Sequence, residues 1–282
     1  MITESILPLK LACETLGINR ANYYRNNVNP SINKDLEIKT KIERIVLDFP
    51  GYGYRRVTKQ LHRQGDEVNS KKIRRVMKEN NLVYRKKRFK VITTDSNHNL
   101  PVYPNLAKDL AVTGFNQLWV ADITYIWLPG GHVYLAVIID IFSRKCIGWD
   151  LGRHIDTKLV LNALDMAIKD RQHLGFDGLI HHSDQGVQYA SHEYVDRLKG
   201  LGIKVSMSRK GNPYDNAFAE SFMKTLKAEE VYIKEYKNFE EAYKNIKQFI
   251  EIVYNKKRLH SSIGYLPPDE FEHGVLNTAE CS

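Results

Sequence analysis

Cysteine is scarce in this chain. Its 282 residues hold three, Cys13, Cys146 and Cys281, scattered and with no CxxC pair among them. That argues against a disulfide framework or a cysteine zinc site, and a reducing, cytosolic setting is the expectation. No apolar run approaches the ~20 residues a membrane helix needs, so no membrane partner is expected. The opening MITESILPLK lacks the basic start and long apolar stretch of a signal peptide. Internal repeats, low-complexity tracts and a leucine heptad are missing too. Acidic residues run short in one part only. Residues 1–100 carry 21 Lys and Arg against 10 Asp and Glu, whereas residues 101–282 carry 21 against 23, so the net charge of +9 is concentrated at the front. A basic amino-terminal part suits a polyanion, and the nearly neutral remainder has another task. What is present in ordinary amount, 43% hydrophobic and 27% charged residues, fits a globular chain long enough for more than one domain.

The basic part reads as helical. In residues 1–30, LKLACETLGINRANYYRNN suggests two short helices around Gly17, with Asn19 as a cap, a partial helix-turn-helix segment. Residues 31–84 read as a helix-turn-helix DNA-binding domain. Ile38, Ile42, Ile45, Val46 and Phe49 recur at helical spacing until PGYG at 50–53, and YRRVTKQLHRQG is a short helix stopped by Gly65. NSKKIRRVMKENNL then turns Ile73, Val76 and Met77 inward behind a cap at Asn69 or Ser70. It leaves Lys71, Lys72, Arg74, Arg75 and Lys78 outside, with Glu79 as the acid among them. Cations so crowded repel one another unless an anion is bound, which is the expectation for a DNA recognition helix; a solvated charged face is the plain alternative. Residues 85–114, basic and then polar with Pro101 and Pro104, read as a linker along a phosphate backbone.

From residue 115 the pattern turns to strands. QLWVADITYIWL alternates, placing Leu118, Val120, Asp122, Thr124 and Ile126 on one side. PGG at 129–131 makes a hairpin, HVYLAVIIDIF is apolar enough for a central strand, and CIGWDL is a third. A helix capped at Asp156 follows, then the short strand GLIHHSD, the helix SHEYVDRLKGLG, the strand IKVSM and the helix NPYDNAFAESFMKTLKAEEV. This order predicts a mixed α/β sheet with helices on both faces, a ribonuclease-H-like core over 115–232, preceded by the all-α modules. Residues 233–282 read as a helix at 239–255, with Phe239, Tyr243, Ile246, Ile250 and Val253 inward, and an irregular tail.

Three carboxylates stand in unusual places: Asp122 in mid-strand, Asp184 at the end of a short strand, and Glu220 on a helix. Any one alone is best explained by a hydrogen bond or a cation. The predicted sheet, however, brings Asp122 and Asp184 out side by side, with the Glu220 helix against that edge. Three such acids repel unless divalent cations neutralise them, and all-oxygen ligands suit Mg²⁺ or Mn²⁺. Two ions ~4 Å apart can clamp the attacking and leaving oxygens of a phosphodiester. On the third helix, Asn212 is a predicted cap and Pro213 lies in the first turn. Asn216, Glu220, Lys224 and Lys227 share one face, and Phe218, Phe222 and Leu226 form a core stripe. Ala217, Ala219 and Ser221 leave room beside Glu220. Asn216, Lys224 and Lys227 are candidate DNA contacts, the plain alternative for the lysines being pairing with Glu220. His181 and His182 are read as structural rather than as metal or phosphate contacts, Asp140 as a turn cap with Ser143, and Trp119, Trp127 and Trp149 as packing.

The blocks WVADITYI, HHSDQGVQY, SRKGNPYDNAFAESFMKTLKAE and YNKKRLHSSIGYLPPDEF closely resemble the signature blocks of bacterial insertion-sequence transposases of the OrfB type, in the retroviral-integrase-like DDE superfamily. The resemblance runs from about residue 5 to 272, YGYRRV is similar to that family's helix-turn-helix domain, and the 35 residues between Asp184 and Glu220 match its spacing. It implies that Asp122, Asp184 and Glu220 are a metal-binding catalytic triad. Lys227 would be the basic residue that contacts the transposon end. It further implies metal-dependent strand cleavage and strand transfer, acting on terminal inverted repeats and target DNA, with movement through a circular intermediate. A homo-oligomer assembled on DNA in the bacterial nucleoid is expected. Arg258 and His260 lie in the tail block without an assigned task. No His-His-Cys-Cys module is present, so zinc is not expected. The chain is expected to be OrfB by itself, with an upstream OrfA as partner or fusion. Two rival functions remain: a non-catalytic DNA-binding repressor derived from a transposase, and a hydrolase of RNA–DNA hybrids.

Overall fold

The computed structural model describes residues 9–15, 17, 30–83, 100–209 and 216–280. They fall into two compact units. In the first, helices α1 (Leu9–Thr15), α2 (Pro30–Asp48), α3 (Tyr54–Arg63) and α4 (Ser70–Glu79) follow one another. The second helix of the expected segment around Gly17 lies outside the described residues, as does the part of the expected linker over 85–99. Ile42, Ile45, Val57, Leu61, Ile73, Val76 and Met77 are buried where α2, α3 and α4 pack together. The cap of α4 is Asn69, whose side chain accepts from the Lys71 amide at 2.8 Å.

The second unit is built on a five-stranded sheet. Strands β1 (Leu118–Leu128), β2 (Gly131–Asp140) and β3 (Cys146–Gly152) are antiparallel, and β4 (Ile180–Ser183) and β5 (Lys204–Met207) run parallel to β1, in the spatial order β3-β2-β1-β4-β5. The period-2 pattern of β1 divides its residues between two cores. Trp119 and Ala121 join Ala136 and Ile138 under α5 (Thr157–Arg171) and α7 (His192–Gly200), which follows the single turn α6 (Val187–Ala190). Leu118, Val120 and Ile126 join Phe222, Leu226 and Ile246 under α8 (Ala217–Leu226) and α9 (Phe239–Gln248). The sheet is therefore covered on both faces, the mixed α/β, ribonuclease-H-like arrangement expected. Asp156 caps α5 through the Leu159 amide at 2.9 Å. Close packing of α5 demands glycine at 148, where an added Cβ would lie 2.1 Å from the Ala163 carbonyl oxygen.

Three stretches differ from expectation. The part of the linker at 100–114 is fastened to this unit: the Leu106 amide donates to Ser206 Oγ at 2.8 Å, and Lys199 Nζ reaches the Tyr103 hydroxyl at 3.2 Å. The carboxy-terminal tail is not all irregular but ends in α10 (Pro268–Glu280). Pro268 is preorganised for a first helical turn, and Asp269 and Glu270 suit its positive end. Lys145 holds Asp269 at 3.2 Å and Glu272 at 3.4 Å, and Arg171 pairs with Glu272 in a buried contact. The helix expected over 239–255 continues beyond α9 as a wider π-type turn, Phe249–Lys257.

Candidate active site

Parallel pairing sets Leu118 against Ile180 and Val120 against His182. The same register carried two residues past the last pair brings Asp122 level with Asp184. Asp184 turns with Gly186, whose amide donates to Asp184 Oδ1 at 2.9 Å; an added Cβ at Gly186 would stand 3.0 Å from that oxygen. Asp122 lies on the face of β1 that α8 covers, and its Oδ1 accepts from the Ile123 amide at 2.9 Å. The start of α8 is tied to the same place, because Asn216 Nδ2 donates to the Ala121 carbonyl at 3.0 Å. Glu220 follows one turn later, half-buried. Residues 210–215, including the expected cap Asn212 and Pro213, lie outside the described residues.

Charge in this corner is unbalanced. Burial, then the charge of Asp184, then that of Glu220, push the Asp122 carboxyl up to about 7; the Ile123 amide and Lys227 work against the rise. Both other acids therefore act on Asp122. As placed, however, no three His, Cys, Asp or Glu side chains among the described residues stand ready to hold an ion together. Glu220 Oε2 accepts from Lys224 Nζ at 2.8 Å, the intrahelical pairing that was the plain alternative for this lysine. Lys227 is half-buried, with Nζ 4.5 Å from the centre of the Tyr125 ring; burial lowers its pKa and Asp122 opposes the fall. Asn216 is buried and its amide nitrogen is taken up by β1, while its Oδ1 has no hydrogen-bond partner among the described residues.

The side residues sort as follows. His182 is bracketed by Ser206 Oγ at 2.8 Å and Ser208 Oγ at 3.0 Å, and His181 Nε2 meets the Tyr194 hydroxyl at 2.9 Å, so both are structural. Asp140 Oδ1 accepts from the Phe142 and Ser143 amides, the turn cap expected. Trp119 and Trp149 are packed, but Trp127 is 66% exposed and is not. Phe218 also leaves the predicted core stripe: it is 42% exposed, with the Arg144 guanidinium 4.2 Å over its ring. Tyr189 was missed. It is buried, its hydroxyl has no hydrogen-bond partner among the described residues, and Tyr194, Asp122 and Asp184 add to the rise in its pKa that burial begins. Its one sequence signal was its place in the block that follows Asp184.

On α4, Lys71, Arg74, Arg75 and Lys78 are exposed and Lys72 is half-buried. Lys71, Arg74, Arg75 and Lys78 line one open hollow with Glu79. Lys72 and Arg75, though, pair with Asp35 of α2 at 2.7 and 2.6 Å, and Arg75 also with Glu79 at 3.0 Å. These contacts hold the Asp35 carboxyl below its ordinary range. The crowding of charge is thus relieved in part by an acid 40 residues away in sequence.

Comparison with known proteins agrees with this division. A model described as "Integrase core domain" matches residues 113–213 and a second of the same description matches 201–268, while an "HTH-like domain" matches 33–90. The insertion element IS600 uncharacterized 31 kDa protein of Shigella sonnei is 39% identical over 264 residues, 92% of this chain and 96% of that one. The transposase for insertion sequence element IS904 of Lactococcus lactis is 39% identical over 83% of this chain and 93% of its own. Transposase InsF for insertion sequence IS3A of Escherichia coli is 33% identical over 95% of each.

Proposed function

The chain belongs to the OrfB-type insertion-sequence transposases, and from that premise we propose that Asp122, Asp184 and Glu220 form the centre at which it cuts and joins DNA strands. The observation that carries this is the β1–β4 register, which carried two residues past its last pair sets Asp122 level with Asp184, with α8 tied to the same part of β1 by Asn216. The donor set is all oxygen, and Asp184 and Glu220 both oppose a charge on Asp122, which fits a pair of hard divalent cations, Mg²⁺ or Mn²⁺, and no zinc. Such ions, when bound, supply neutralisation for the attacking and leaving oxygens of a phosphodiester.

The chain's own side chains do the rest. Asp122 and Asp184, fixed by backbone amides, are the rigid pair of ligands, and Glu220 is the mobile third. It joins them by exchanging its bond to Lys224 for the shared site, which frees Lys224 for a phosphate. Lys227, beside Asp122, holds the neighbouring phosphate of the reacting strand. In-line displacement then needs position and charge compensation, with no nucleophile from the protein. The substrates are the terminal inverted repeats and target DNA, gathered by the basic amino-terminal unit, with copies of the chain assembled on DNA and OrfA as partner or fusion.

The test is cleavage and joining of a labelled duplex carrying the terminal repeat that brackets this gene, in Mg²⁺. Asp122→Asn, Asp184→Asn and Glu220→Gln each lower the rate ~10³-fold or more, equivalent to about 4 kcal/mol of barrier, while gel-shift binding of the repeat persists. A Glu220→Gln protein that joins ends at the wild-type rate refutes the assignment.

A further inference from the structure

The β1–β2 hairpin extends past the rest of the sheet. β1 pairs with β4 only through Val120, but with β2 it stays in register out to Leu128 opposite Gly131. The two-residue connection, Pro129 and Gly130, is tight, with Gly130 at φ 97°. This extension is thus a firm ribbon, and one aromatic on it is left in solvent. Trp127 is 66% exposed, against 0% for Trp119 and 3% for Trp149. An isolated exposed tryptophan needs no explanation by itself. This one has company. His132 lies opposite it in register, and the His132 ring meets Tyr125 edge-on at 5.2 Å. Tyr125 in turn carries Lys227 Nζ over its ring at 4.5 Å. Rings therefore run outward along the strand that bears Asp122, on the face of β1 opposite to that acid, and Lys227 links the two, lying over Tyr125 while acting on Asp122; Trp127 stands ~17 Å beyond that acid at the usual rise per residue.

We propose that the outer β1–β2 hairpin is a stacking platform for unpaired bases of the DNA strand that enters the acidic site, with Trp127 as its principal ring and Lys227 as its phosphate contact. The inference rests on the catalytic reading above and deepens it. Every base has a π-face, so the platform tolerates any sequence, as joining to varied targets requires. The cation at its inner end matches a phosphodiester chain and would be idle against an apolar protein partner. A hairpin paired to its tip is already ordered, so stacking on it is not opposed by loop ordering.

Tryptophan emission from the full chain tests this directly, since Trp127 alone of the three is exposed. The probe is a mixed-sequence 20-nucleotide single strand, compared with its blunt duplex. The single strand is expected to quench Trp127 and shield it from acrylamide. Trp127→Ala weakens single-strand binding about 5- to 150-fold, and Trp127→Phe restores most of it. Unquenched emission at saturating single strand, or unchanged affinity of Trp127→Ala, overturns the proposal. So does acrylamide shielding of Trp127 without DNA, coupled with a smaller sedimenting species for Trp127→Ala, because the patch is then an interface between copies. If Trp127→Ala joins ends with wild-type kcat and KM while Glu220→Gln is inactive, only this inference falls; an active Glu220→Gln removes the catalytic reading beneath it.

Discussion

His181 and His182 stand three and two positions ahead of Asp184, where a metal or phosphate contact would be plausible by sequence alone. Their hydrogen bonds decide otherwise. His182 joins β4 to Ser206 of β5 and to Ser208, and His181 sits in a buried aromatic cluster with Tyr189 and Tyr194. Burial, with His182 as a lesser cause, lowers the His181 pKa to about 3. The unfolded chain binds that proton near pH 6.5. The stabilisation from a neutral His181 is therefore complete above pH 6.5 and drains away as pH falls toward 3, at most about 1.4 kcal/mol per pH unit. Urea unfolding at pH 7 and pH 5 should show a lower midpoint at pH 5, and His181→Gln should flatten that difference while costing some stability at pH 7 through the lost Tyr194 bond. An equally steep pH dependence in His181→Gln would show that the proton is taken up elsewhere.

At the level of elements, the tail shows what a sequence can and cannot disclose. The alternation of β1, the apolar run of β2 and the cap of α5 were legible because each depends on neighbours within a few residues. Strand order led to Asp122 and Asp184 being expected side by side, and the observed β1–β4 register carried two residues on sets them level; Glu220 was expected beside them because its helix returns to that edge, and in the structure it pairs with Lys224. Three other features depend on partners remote in sequence and were not legible. Helix α10 is held by Lys145 and Arg171, the cations of α4 by Asp35, and Arg258, which had no assigned task, by Glu229. That last pair is bidentate, at 2.9 and 2.8 Å, and buried on both sides. It fastens the end of the π-type turn after α9 to the turn that follows α8. Removing one partner strands the other as a buried charge, so Arg258→Ala should cost about 3–5 kcal/mol in urea unfolding. Arg258→Met combined with Glu229→Leu should recover most of that loss. A cost below about 1 kcal/mol for Arg258→Ala would mean that water reaches Glu229.

For the whole molecule, the uneven charge divides the work. The first 100 residues hold the positive excess and the remainder is close to neutral, so affinity for the duplex should be concentrated in one unit and chemistry in the other. Counterion release makes that division measurable, since each phosphate neutralised contributes about 0.9 to the slope of log K against log salt. Lys72 and Arg75 are engaged by Asp35, and Lys71, Arg74 and Lys78 are the better candidates for phosphate contact. Replacing Lys71, Arg74 and Lys78 together by Ala should lower the slope for duplex binding by up to about 2.7 and weaken binding evenly across sequences. Glu220→Gln should leave the slope as it is. Replacing Lys72 instead should mainly expose Asp35, reducing stability more than slope. If the triple substitution leaves the slope unaltered, the duplex is held elsewhere, and α4 carries its charge for a reason other than DNA.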